Sequence, residues 1–426
     1  MANMCKADSQ MLAVMPADDQ EHRLTQLNLM TKRLFITIFV SLTIYSFGQS
    51  PKEQLKIANA ANVSLTDFYE EISFTDKGGY FIIPITIGSQ IHDYIFDTGG
   101  YNTITTDIMT RNMLPELMTV SVGSSNQIKS KIILSKVPRL NVGDVPFTDV
   151  GVFNFDFDEA PVIKCYTNGG LLGKGVIKQA VWQIDYQNKV IRLADKLEKM
   201  PNLGNSIKLK VELDKVLNPF IQVEIDGRNQ RFMLDFGFGG FISLTEKTAS
   251  EYKFATTIET NGEGAIGANG VSKESMYISN LTTVKIAGQT FTNQVAFYSK
   301  SNNYNLIGSE IAKYFIVTLN FKENELLLTP FSGFPSDPFK SFGIDMNMNE
   351  KEIYISRIYK GLHADKIGIE LNDKVVSVNE FKVDSLNLCD SFFKLRTTLH
   401  QADSLDIKII RDSIEKGFKL QKTELR

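Results

Sequence analysis

The sequence predicts a mainly β chain in which one β-rich unit occurs twice and a third, separate module follows. Three observations carry that prediction: strand-like alternation around an Asp-x-Gly loop, the return of the same pattern further along the chain, and a turn-rich break before the last hundred residues. At about 150 residues per domain, the 426-residue chain has room for roughly three such units.

The duplication is read directly from the residues. Phe81 to Thr106 aligns without a gap over Pro219 to Leu244. Ile83, Ile85 and Ile87 fall on Ile221, Val223 and Ile225, an alternation that suits a strand with one buried face. Gly88-Ser89 and Asp226-Gly227 are turn signals, and second strands follow at Tyr94-Ile95-Phe96 and Phe232-Met233-Leu234. Each hairpin ends in Asp-x-Gly: Asp97-Thr98-Gly99 in the first copy and Asp235-Phe236-Gly237 in the second. The match resumes downstream, with Leu140, Val142, Gly143 and Phe147 answering Val284, Ile286, Gly288 and Phe291. Leu171-Leu172-Gly173 answers Leu306-Ile307-Gly308, and Trp182, Ile184, Asp185 and Tyr186 meet Val317, Leu319, Asn320 and Phe321. Four matches in one order indicate a duplication.

Two copies of one unit are expected to pack about a pseudo-twofold axis, where a repeated loop can meet its own copy. Asp97 would then face Asp235. Two adjacent carboxylates cannot both ionise, so the pair holds one proton and titrates as a unit. The ionised member can take a proton from water while the neutral member polarises a carbonyl. Gly99 and Gly237 would let the two loops approach.

At these residues the sequence resembles the aspartic proteases of the retropepsin and pepsin type. Phe96-Asp97-Thr98-Gly99-Gly100 is similar to their hydrophobic-Asp-Thr-Gly-Ala loop, and the two apolar-apolar-Gly triplets to the segment that closes behind it. The resemblance spans roughly residues 78–332, each copy being nearer a retropepsin subunit with insertions than a pepsin lobe. It implies two β-barrel lobes (78–200 and 201–332), catalytic Asp97 and Asp235, loop support from Thr98, Gly99 and Gly237, a peptide or protein substrate, and no cofactor, because water is the nucleophile. Phe236 departs from the pattern: it stands where the family carries Thr or Ser, whose hydroxyl bonds across the axis. A looser or differently supported pair is expected, and an inactive protease fold is the alternative. Gly100 in place of Ala, and the run Gly237-Phe238-Gly239-Gly240, are milder departures. Val122–Lys131 and Gly262–Ser272 are Gly/Ser/Asn-rich candidates for substrate-covering hairpins, or else ordinary surface loops.

After Thr329, Pro330, Gly333, Pro335 and Pro338 read as a linker. Beyond it come Ser341-Phe342-Gly343-Ile344, a strand at 352–358, Ala364-Asp365-Lys366-Ile367-Gly368-Ile369, the stretch Asn372 to Asn379, a helix near 391–399 and a strand at 405–411. This order is similar to a PDZ domain, over residues 339–426. The resemblance implies that Phe342, Gly343 and Ile344 cradle the terminal carboxylate of a peptide added as a strand. A β-rich cap that binds nothing is the alternative, with Phe342 a core residue.

The N-terminal region reads as targeting. Lys32-Arg33, the uncharged run Leu34–Phe47 and Gly48 describe a secretory signal peptide at 30–48, too short to span a bilayer. Met30 is then the expected start, residues 1–29 an upstream extension, and export to the periplasm or outside the cell the expected fate. An uncleaved signal anchor is the alternative. Residues 49–77 form a lead-in segment that the sequence leaves open between a short helix and a strand. Net charge is −3, with no run of like charges that would suit nucleic acid or an acidic membrane. The four His and three Cys are scattered, so no metal is expected. Cys165 and Cys389 fall in different predicted domains, so no structural disulfide is expected either.

Overall fold

The computed structural model describes residues 50–123, 128–332 and 338–425. The expected extension, signal peptide and Cys5 lie outside these residues. The chain divides into two units, residues 1–54 and 55–426, and nearly every described residue belongs to the second.

The fold is mainly β. Helix α1 (Pro51–Ala58) leads to strand β1 (Tyr69–Ser73), so the lead-in segment supplies both elements that its sequence left open. The first copy then runs through β2 (Tyr80–Ile87), β3 (Gln90–Phe96), β4 (Met118–Gly123), β5 (Lys129–Val142), the short helix α2 (Pro161–Lys164), β6 (Gly170–Leu172), β7 (Val181–Asp185) and β8 (Val190–Ala194). The second runs through β9 (Ile207–Lys210), β10 (Pro219–Ile225), β11 (Arg228–Asp235), β12 (Thr257–Gly267), β13 (Gly270–Lys273), β14 (Asn305–Gly308), β15 (Phe315–Asn320) and β16 (Glu325–Pro330).

The two expected hairpins close where the turn signals stand. Ile87 pairs with Gln90 and Ile225 with Arg228, leaving two-residue turns. Asp226 and Gly227 both have positive φ, the backbone that a tight hairpin turn between right-twisted strands requires. The alternating residues face inward as read: Ile83, Ile85, Val223 and Ile225 are all buried.

A six-stranded sheet joins the copies in the order β9-β16-β15-β7-β8-β1. At its centre Trp182 pairs with Leu319, Gln183 with Thr318 and Ile184 with Val317. Exchanging repeat-equivalent residues maps this register onto itself, and Gln183 Nε2 donates to Thr318 Oγ1 (3.1 Å) at its midpoint. The cores of the copies are continuous, with Phe96, Trp182, Phe236 and Phe315 in one cluster.

The C-terminal module contains β17 (Ile344–Met348), β18 (Ile353–Tyr359) and α3 (Leu388–Gln401), with further strands at Lys374–Val378, Ser404–Arg411 and Ile414–Gln421. Ile353, Ile355, Leu395 and Ile409 are fully buried within it. The sequence stretch at 372–379 is organised by Asp373, a buried carboxylate gripped by the Arg411 guanidinium through two bonds of 2.6 Å.

The expected absence of a disulfide is contradicted. Cys165 and Cys389 are bonded, with Cα atoms 5.2 Å apart, inside the span such a bond bridges. Falling in different predicted domains did not keep them apart, because the segment after α2 packs on α3. Val162, Cys165 and Tyr166 share a buried cluster with Phe392 and Leu395, and Tyr166 meets the Phe393 ring edge-on at 5.0 Å. Helix α2 itself packs on β17.

Candidate active site

Each Asp sits at the end of a hairpin strand and is closed from behind by a parallel strand from its own copy. Leu172 is in register with Phe96, and Ile307 with Leu234. The glycine ending each triplet presses on the Asp loop. A Cβ at Gly173 would lie 2.3 Å from the Tyr101 carbonyl carbon, and one at Gly308 would lie 2.1 Å from Gly240 O. Nothing larger than glycine fits either place.

The loops meet. A Cβ at Gly99 would lie 2.6 Å from the Asp235 carboxyl carbon, and one at Gly237 would lie 2.7 Å from that of Asp97. Each carboxylate thus rests on the glycine of the other loop, and the two are within hydrogen-bonding reach of one another. Asp97 Oδ1 accepts from Gly99 N (2.9 Å) and Gly100 N (2.8 Å), whereas Asp235 Oδ1 accepts from Gly237 N alone (2.9 Å).

Burial dominates the electrostatics of both groups, and the N–H groups modulate it. Burial raises the pKa of Asp97, while the N–H groups of Gly100 and Gly99 and the Lys174 charge oppose the rise. Burial raises Asp235 well above the ordinary carboxylate range, and the Asp97 charge raises it further. Both carboxylates are held above the ordinary range, and the pair shares one proton and titrates as a unit.

Thr98 and Phe236 occupy equivalent positions and act differently. Thr98 Oγ1 donates to Leu234 O (2.7 Å) and accepts from Phe236 N (3.0 Å), spanning the junction. Phe236 has no hydroxyl to return these bonds. Its ring is fully buried and crosses into the first copy, 5.7 Å from Phe81 edge-on and 6.2 Å from Phe96.

Sequence reasoning missed Lys174. Its ammonium is buried, donates to Asn218 Oδ1 (2.6 Å) and Gly99 O (3.4 Å), and lies over the Tyr101 ring at 4.1 Å. Burial lowers its pKa to about 8 against the pull of Asp97, Asp214 and Asp235. The signal was available: a charged residue directly follows the apolar Leu171-Leu172-Gly173 triplet, where the second copy has Ser309. Both residues reach across to the other copy, Lys174 to Asn218 and Ser309 Oγ to Gly79 O.

Both candidate covering segments are hairpins. Val122 pairs with Ser130 across residues 124–127, which lie outside the described residues, and Gly267 pairs with Gly270 in the second. Of the candidate carboxylate loop, Phe342 is buried with Lys422 Nζ 5.4 Å from its ring. Gly343 takes a positive φ and its N–H donates to Ser341 Oγ (3.0 Å), while Ile344 opens β17. Among the described residues no helix is long and apolar enough to cross a membrane, and no group of three or more His, Cys, Asp or Glu could hold a metal ion.

No family model matches the chain, and neither does any curated protein. Among solved structures it is similar to an aspartic proteinase from Irpex lacteus, at 10% identity and a TM-score of 0.39, over 62% of this chain and 98% of that one. It is also similar to a retropepsin-like aspartic protease from Rickettsia conorii, at 16% identity and a TM-score of 0.22, over 29% of this chain and 88% of that one.

Proposed function

We propose that the chain is an exported aspartic peptidase, built as two retropepsin-like lobes about a pseudo-twofold axis with a PDZ-type domain behind them. The observation that carries this reading is the meeting of Asp97 and Asp235, repeat-equivalent and each seated on the other's glycine, with Asp97 buried and Asp235 half-buried. A pair holding one proton suits peptide hydrolysis. The ionised carboxylate removes a proton from the attacking water, and the protonated one donates to the substrate carbonyl oxygen as the tetrahedral centre forms. Collapse of that centre passes the proton gained from water to the leaving nitrogen, returns the oxygen's proton to the carboxylate that gave it, and breaks the C–N bond. The β4–β5 and β12–β13 hairpins cover the substrate. The disulfide suits export, since such bonds persist in oxidising compartments such as the periplasm or the exterior.

In the PDZ-type domain, Phe342, Gly343 and Ile344 form the loop offered to a peptide C-terminus. A chain end entering between β17 and α3 competes there with the disulfide-held segment after α2.

The test is cleavage of unfolded protein substrate at mildly acidic pH by wild type, Asp97→Asn and Asp235→Asn. Cleavage by wild type alone is expected, with all three proteins folded. Equal cleavage by all three would remove the pair from the account. One observation favours a second reading, an inactive peptide-binding scaffold: Phe236 leaves the hydroxyl support one-sided. Unchanged peptide affinity in the doubly substituted protein, with no turnover by wild type, would select it.

A further inference from the structure

The β12–β13 hairpin does not belong to its own lobe alone. Thr257, Ile258 and Glu259 pair with Ser279, Ile278 and Tyr277 inside the second copy. At Thr260 the strand changes partner: Thr260, Asn261 and Gly262 pair with Tyr359, Ile358 and Arg357 of β18 in the C-terminal module. Gly262 makes the crossing possible. Its φ is +115°, and a Cβ there would lie 2.2 Å from Ser356 O.

Just beyond the crossing, Arg357 takes hold of the hairpin. Its Nε donates to Glu263 O (2.7 Å), Nη2 to Gly264 O (2.8 Å) and Nη1 to Asp345 Oδ2 (2.7 Å). The Glu263 carboxylate accepts from Asn347 Nδ2 and Tyr354 Oη, each at 2.7 Å. At the other end, Asn269 Nδ2 donates to Val122 O (3.0 Å) and Ile128 O (2.7 Å) of the first hairpin. The hairpin therefore runs from the C-terminal module at its base to the first lobe's hairpin at its tip.

We propose that Arg357 is the positioning residue that holds this hairpin closed onto the first one, so that the C-terminal module sets how tightly a peptide is held. The proposal rests on the peptidase reading. Arg suits the role because its planar guanidinium spreads donors over three nitrogens, one for each of two backbone carbonyls and a carboxylate, where an ammonium gathers its donors on a single atom.

The test compares wild type, Arg357→Ala and Arg357→Lys by peptide kinetics and by hydrogen exchange of the 260–273 amides. KM is expected to rise about tenfold with kcat within about twofold, since loosening a cover weakens ground-state and transition-state binding alike. Exchange should accelerate in 260–273 only, and Lys should not rescue either effect. Unchanged KM and exchange in folded variants would overturn the proposal, as would full rescue by Lys. Should Arg357→Ala fail to fold, Tyr354→Phe removes one Glu263 bond, and a smaller change of the same kind is expected; none would count against the proposal. A wild type that cleaves nothing overturns the peptidase reading alone, and the exchange measurement then decides the clamp by itself.

Discussion

The two Asp-x-Gly loops descend from one sequence and are held in place by different forces. In the first, the buried Thr98 hydroxyl spans the junction with two hydrogen bonds to the second loop's backbone. In the second, the equivalent position holds an aromatic ring that reaches into the first copy's core. The junction therefore has one polar tie and one apolar one, where a symmetric pair would have two polar ties. The carboxylates inherit the asymmetry. Asp97 accepts two loop N–H groups and Asp235 one, although both copies supply the same residue.

The largest expected effect tests whether this asymmetry divides the chemistry. Asn at position 97 or at 235 should each lower kcat/KM by at least about a thousandfold, because hydrolysis uses both members. Unequal losses would show that one Asp works without its partner. The same variants should melt higher than wild type at neutral pH. The pKa of each Asp is raised in the folded protein, so the native pair is most stable protonated and loses stability as pH rises through its folded pKa. The difference in melting temperature should shrink below about pH 4, where the unfolded carboxylates are protonated too.

Next in size is the apolar tie. Phe236→Thr supplies the hydroxyl that the first loop carries at Thr98 but empties a fully buried ring site, so a loss of about 3 kcal/mol is expected in denaturant unfolding. Little loss would mean the hydroxyl makes good the missing ring and the loops are interchangeable. Thr98→Val keeps the shape of the polar tie and strands Leu234 O and Phe236 N in the core, at about 1–3 kcal/mol. The smallest effect belongs to Lys174, a cation that only the first copy provides. Lys174→Met removes a charge that favours ionised carboxylates, so the alkaline limb of the pH–rate profile should move upward. An unmoved or lowered limb would show that the ammonium does not act on the pair.

The parts legible in the sequence were those written locally and twice. Alternating residues such as Ile83, Ile85 and Ile87, the turn at Asp226-Gly227, and the paired Asp and Gly positions each have a local physical cause, and duplication multiplied the signal. What escaped depends on contacts between segments remote in sequence. The Cys165–Cys389 bond spans 224 residues and follows from docking of the α2 segment on α3, which no spacing encodes. The partner change at Thr260, with its Arg357 anchor, escaped for the same reason: a strand's periodicity shows that it pairs, not with which edge. Lys174 was legible in principle, since an ammonium beside a buried triplet must find partners, but Asn218 and Asp214 come from the other copy.

The central claim is that Asp97 and Asp235 share one proton. Carboxyl carbon NMR of Asp-labelled protein, followed against pH and assigned with the two Asn variants, observes it directly. Two coupled titrations are expected, one carboxyl ionising first and the other remaining protonated well above the ordinary aspartate value of 3.8. Independent titration of both near that value would contradict the account.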